Sequence, residues 1–101
     1  DIALVNGGGI RRDIHQGIFT YKDILELLPF GNMCAVKEVT GQQILDALEM
    51  GVYELPAESG GFLHVSGLTY VVDATIPTSV VRDEKGNFIK VDGAYRVQAS
   101  L

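Results

Sequence analysis

The sequence has no tryptophan, one cysteine, two histidines and three prolines in 101 residues. A single thiol cannot close an internal disulfide, so no disulfide framework organises this chain. Cys34 sits in the apolar run Met33-Cys34-Ala35-Val36 and reads as a small buried hydrophobe. His15 and His64 lie far apart, without the Cys, Asp or His spacing that a metal pair requires, and both read as surface or satisfied histidines. No run of 18 apolar residues is present, which excludes a helical membrane span within these residues. Positive charge is scarce as well: 8 Lys and Arg stand against 13 Asp and Glu, a formal net charge of −5. That balance argues against a nucleic-acid backbone as partner, though one or two local arginines suffice for a single small anion. No local set of nucleophile, base and orienting residue stands out either.

What is present fits one small folded unit. A length of 101 residues holds one domain with one small core, and a hydrophobic fraction of 47% argues against disorder. Glycine is plentiful, at 12 residues, and three are consecutive in Asn6-Gly7-Gly8-Gly9-Ile10-Arg11. This loop directly follows Ile2-Ala3-Leu4-Val5, which reads as the end of a buried strand. Three glycines permit positive φ and a close approach of backbone to ligand. Asn6 adds an amide at one end, and Arg11 adds a permanently charged planar fork at the other. The combination suits a polar or anionic small molecule held by main-chain N–H groups and a guanidinium. It is neither a phosphate-binding Walker loop nor a dinucleotide fingerprint, since no Gly-Lys-Ser/Thr follows and the glycine spacing differs. A plain tight turn after a strand is the alternative reading.

Further along, Thr20 with Asp23 marks a helix start, Ile24, Leu25 and Leu28 supply an apolar face, and Pro29 stops the helix. Phe30 then lies in the turn Pro29-Phe30-Gly31-Asn32, where its ring can face a planar base or fold into the core. Met33 to Val39 reads as a strand. Thr40 and Gln43 form a capping box ahead of Ile44, Leu45, Leu48 and Val52, which predicts the longest helix over 41–53. Residues 55–61 read as loop, 68–74 as a strand, 79–82 and 88–91 as a hairpin around residues 83–87, and 95–99 as a last strand. Two helices among several strands predict an α+β domain of mixed α/β layers, and the late hairpin predicts a mixed sheet.

The pairing of Asn6-Gly-Gly-Gly-Ile-Arg11 with Thr20 through Pro29-Phe30-Gly31-Asn32 resembles the C-terminal domain of the 5′-nucleotidase family. The likeness continues through Val39-Thr40-Gly41, Ser59-Gly60-Gly61-Phe62-Leu63 and Val65-Ser66-Gly67-Leu68, and covers essentially the whole chain. The resemblance implies a single partial domain over 1–101, cropped at both ends, from a secreted, periplasmic or surface enzyme that hydrolyses nucleoside 5′-monophosphates or related nucleotides. Asn6 is then the counterpart of the residue that meets the base, Arg11 of the one near the ribose, and Phe30 of one side of a base clamp. Gly7, Gly8 and Gly9 shape the floor of the site. Arg12 has no counterpart in the motif and reads as a surface arginine. The clamp's second aromatic and an acidic ribose ligand are expected beyond the end of this chain. The catalytic centre, two divalent ions such as zinc or manganese, is expected on a preceding domain. The chain alone then holds neither metal nor catalytic residues, contacts no nucleic acid or membrane, and is expected to be inactive. A binding or cell-surface module without chemistry is the alternative. So is a hydrolase of another phosphoester, such as a cyclic nucleotide or nucleotide sugar.

Overall fold

The computed structural model describes residues 1–101. Strand β1 (Ala3–Asn6) runs into a single 3-10 turn over Gly7–Gly9. Helix α1 covers Tyr21–Leu27 and helix α2 covers Gly41–Gly51. Strands β2 (Leu63–Ser66), β3 (Thr69–Val72), β4 (Val80–Arg82), β5 (Phe88–Val91) and β6 (Val97–Ser100) complete the order.

Both helices start where side chains satisfy their first free N–H groups. At α1 the Thr20 hydroxyl accepts from the Asp23 N–H while the Asp23 carboxylate accepts from the Thr20 N–H. Thr40 and Gln43 repeat the reciprocal pair at α2. The two helices differ in what they bury. Leu48 and Val52 at the end of α2 are 1% and 0% exposed and form the core with Leu68 and Val97, flanked by Ile44, Leu45 and Leu63. α1 buries no residue completely.

The strands form three separate antiparallel pairs, β1 with β2, β3 with β6 and β4 with β5. The α+β class is therefore as expected, but the strands do not join into one mixed sheet. Leu63–Ser66 is the partner of β1, with Val5 opposite His64 and Asn6 opposite Leu63. Its burial alternates, half-buried Leu63 and Val65 against exposed His64 and Ser66, because one face lies toward α2.

Several expectations are corrected. Strand β1 is exposed along its length, since only β2 covers it. Met33–Val39 is not a paired strand: no ladder reaches it, and Met33 and Val36 stand in solvent. Cys34, in the same segment, is exposed and not a core residue. α2 ends at Gly51, with Val52 as its cap and the Val52 N–H returning to the Glu49 and Met50 carbonyls. The β4–β5 hairpin stands as read, closed by Gly86 at φ +85, with an irregularity between Val81 and Arg82.

A buried polar cluster ties the core together. Glu49 is 0% exposed; its two carboxylate oxygens accept from the Arg96 N–H (2.9 and 3.0 Å), and one also from the Val97 N–H (3.1 Å). The Arg96 guanidinium donates to the carbonyls of Val52 (2.9 Å), Leu55 (3.0 Å) and Ile76. Two of these carbonyls, Val52 and Leu55, follow the end of α2, where a positive charge suits the helix dipole.

Candidate functional site

The glycine loop is held by the turn that precedes β2. Gly7 N–H donates to the Phe62 carbonyl (2.7 Å) and Gly8 N–H to the Gly60 carbonyl (2.9 Å). The reason for glycine is proximity and not unusual φ: none of Gly7, Gly8 and Gly9 lies at positive φ. A Cβ on Gly8 would sit 2.9 Å from the Gly60 oxygen and 3.0 Å from the Gly60 Cα, so any side chain there would force the two loops apart. These N–H groups are used internally, which corrects the expectation that they serve a ligand.

Phe30 reaches the same neighbourhood through α1. Arg11 N–H donates to the Leu27 carbonyl (2.8 Å), docking the exit of the glycine loop on the last turn of α1. The chain then turns through Pro29 and Phe30 and leaves through Gly31, whose φ of +62 is costly for other residues. The result sets the Arg11 guanidinium 5.9 Å from the Phe30 ring centre. The ring is 59% exposed, so it is not a core aromatic.

The candidate residues divide between two concavities. Asn6, Gly9 and Phe30 line a cavity of about 270 Å³ with Val5, Leu28 and Gly31. Gly7, Gly8 and Arg11 line an adjoining cleft of about 630 Å³ with Gly60, Phe62 and His64. Arg11 connects the two, since it stacks toward Phe30 while its guanidinium donates to the Gly8 carbonyl (3.2 Å). One wall is thus aromatic, and an amide and a guanidinium lie at its margins. Asn6 Nδ2 donates to the Gly60 carbonyl (3.1 Å), a partner that sequence reasoning did not identify. Arg12 turns away and pairs with Glu26. His15 and His64 are exposed, and no cluster of three or more His, Cys, Asp or Glu side chains is arranged to hold a metal ion.

The α+β domain thus sets an exposed aromatic ring near an amide and a guanidinium on two neighbouring loops. A sequence model of the family described as 5′-nucleotidase, C-terminal domain matches residues 1–100, and the chain belongs to that family. It is 36% identical over 96 residues to a 5′-nucleotidase of Vibrio parahaemolyticus, covering 95% of this chain and 17% of that protein. It is 44% identical over 69 residues to the trifunctional nucleotide phosphoesterase protein YfkN of Bacillus subtilis, covering 68% of this chain and 5% of that one. Among solved structures, the 5′-nucleotidase precursor of Thermus thermophilus superposes with a TM-score of 0.73 at 40% identity, over 97% of this chain and 20% of the other. The chain therefore corresponds to a C-terminal domain of much longer proteins. No helix in it is long and apolar enough to cross a membrane.

Proposed function

We propose that this domain grips the nucleoside part of a nucleotide and presents its phosphate to a metallophosphatase domain of the same polypeptide. The observation that carries the reading is the meeting of the two loop motifs. Phe30 offers an exposed ring, Asn6 an amide in the same small cavity, and Arg11 a guanidinium set over the ring from the adjoining cleft. The ring stacks on the base, Asn6 meets the base edge, and Arg11 donates to ribose hydroxyls. Binding at this distance from the scissile bond works by positioning, converting nucleoside affinity into correct placement of the phosphate. Two divalent ions on the other domain, zinc or manganese or similar, supply water activation and charge stabilisation when bound. Support for a larger enzyme comes from the likeness to nucleotidases about six times as long. A periplasmic or surface setting accords with a relative named cell wall protein Lmo0130 in Listeria monocytogenes, 33% identical over 109 residues.

The likeness to a trifunctional nucleotide phosphoesterase favours a second reading, in which the same grip serves phosphoesters other than 5′-monophosphates. Stacking tolerates this, because every base has a π-face. The test is phosphate release from AMP and from cyclic nucleotides by a polypeptide carrying this domain behind its metallophosphatase domain, with and without divalent metal. Metal-dependent release from AMP supports the first reading, and release from cyclic nucleotides alone supports the second. A folded, metal-loaded protein that hydrolyses neither, yet binds adenosine, is a binding module.

A further inference from the structure

The Asn6 carboxamide has a donor end and an acceptor end, and a ligand meets whichever end faces it. The Gly60 carbonyl can only accept, so the end turned to it at 3.1 Å is Nδ2. Oδ1 then lies on the Gly9 side, where a Cβ on Gly9 would be 3.6 Å from it, and Asn6 and Gly9 line the cavity that Phe30 closes. The same Gly60 oxygen accepts the Gly8 N–H at 2.9 Å, so one atom fixes both the height of the glycine loop and the rotation of the Asn6 side chain.

Gly60 is itself held from behind. Ser59 Oγ accepts the Gly61 N–H (3.3 Å), and the Ser59 carbonyl accepts the Phe62 N–H (3.2 Å). Beyond them lies the last residue of α2: a Cβ on Gly51 would stand 2.9 Å from the Gly61 carbonyl oxygen. Helix, turn and glycine loop are therefore stacked at distances that only glycine allows at positions 8 and 51.

We infer that the Ser59–Gly61 turn is the positioning element of the site: the Gly60 carbonyl holds the Asn6 carboxamide with its oxygen toward the Phe30 cavity, and Gly51 lets the turn sit close enough to do so. Gly51 lines neither of the two concavities and acts through the turn and Asn6. The inference rests on the nucleoside reading only for what Asn6 then receives.

The test follows the Asn6 side-chain NH2 signals by amide-correlation NMR in the chain without ligand, with adenosine as the probe in a second step. In the unaltered chain one Asn6 carboxamide proton should show the low temperature dependence of a hydrogen-bonded group. Gly51→Ala should move that signal toward values typical of a solvated amide and lower adenosine affinity roughly three- to tenfold, the scale of one hydrogen bond. Gly41→Ala is the control, at the opposite end of the same helix, where nothing lies within 4 Å of an added Cβ. It should leave the Asn6 signal where it was. Ser59→Ala, which adds no bulk, should shift the signal in the same direction by less. Unmoved Asn6 signals in both Gly51→Ala and Ser59→Ala, with the Gly60 and Gly61 amides displaced, would overturn the inference. Asn6 signals that respond as stated, with no adenosine bound by a full-length polypeptide carrying this domain, would uphold the anchor and count against the nucleoside reading instead.

Discussion

Residues 48–52 and 96–97 contain most of what this chain buries, whereas residues 10–40 contain no fully buried side chain. The first region is held by packing and by a closed polar cluster around Glu49 and Arg96. The second is held by a few hydrogen bonds and by the ion pairs of Arg12 and Lys22 with Glu26, with α1 lying on the surface. The radius of gyration of 15.5 Å reflects that openness; a compact chain of this length is expected near about 13 Å. The candidate site lies on the seam between the two regions. Asn6 and Gly8 are anchored to the packed side through Gly60, while Phe30 belongs to the open side and is placed through Leu27 and Arg11. Stability and ligand grip should therefore respond to different substitutions.

The largest effect is expected in the packed region. Glu49→Ala removes the acceptor of the Arg96 and Val97 N–H groups and leaves two buried backbone donors unpaired. Stability should fall by about 3 kcal/mol. Leu48→Ala should cost a comparable amount, roughly 2–5 kcal/mol, through the cavity it leaves. Urea denaturation measures both. A loss below about 1 kcal/mol for Glu49→Ala would mean that the cluster is wetter and looser than its geometry implies.

Phe30→Ala should separate the two regions most sharply. With its ring 59% exposed, the substitution should leave the unfolding midpoint nearly unchanged. It should weaken nucleotide binding or use by roughly 1–3 kcal/mol, the worth of one base–aromatic stack. Calorimetric titration with AMP and a thermal melt of the same sample read both quantities. A lower melting temperature with intact affinity would place Phe30 with the core instead.

The packed region was the more legible of the two in the sequence, although its centre was missed. Thr40, Gln43 and the spacing of Leu45, Leu48 and Val52 gave α2 to within two residues at its end. Glu49 sits on that same apolar face, one position after Leu48 and three before Val52, so its burial was signalled by spacing alone. Its partners were not: they are the backbone N–H groups of residues 96 and 97, and no local pattern encodes a contact across nearly 50 positions. The open region misled for the complementary reason. Met33–Val39 has strand composition, but a strand exists only with a partner, and none of the described elements pairs with it. At the site, Asn6, Arg11 and Phe30 were legible as motif residues, and the structure sets them around adjoining concavities. The role of the glycines was not legible, because Gly8 answers to Gly60, half the chain away.

The paired capping boxes allow a smaller and cleaner comparison. Thr40→Ala and Thr20→Ala remove the same kind of cap from helices of different standing. Thr40→Ala should lower global stability by about 1 kcal/mol, because α2 carries the core. Thr20→Ala should leave the global transition in place and speed amide hydrogen exchange within Tyr21–Leu27 alone. Equal losses of global stability would show that α1 is coupled to the core more tightly than its exposure suggests.

The smallest effect is a pH dependence confined to α1. Hydrogen bonds from the Thr20 backbone and hydroxyl, and more weakly the charge of Arg12, hold the Asp23 carboxyl below its ordinary value of 3.8. A depressed carboxylate binds fewer protons folded than unfolded, so its contribution is fully present above that ordinary value. It fades as pH falls through the folded value, when the Asp23 carboxylate is protonated and ceases to accept from the Thr20 N–H. Helix α1 should therefore fray at the acid end while the signals of α2 persist, and Asp23→Asn should remove the pH dependence of α1 without moving the main transition. Carbon chemical shifts of Tyr21–Leu27, followed downward from about pH 6, would show it. Simultaneous loss of α1 and α2 would place the acid-sensitive group in the packed region, not at the Thr20 cap.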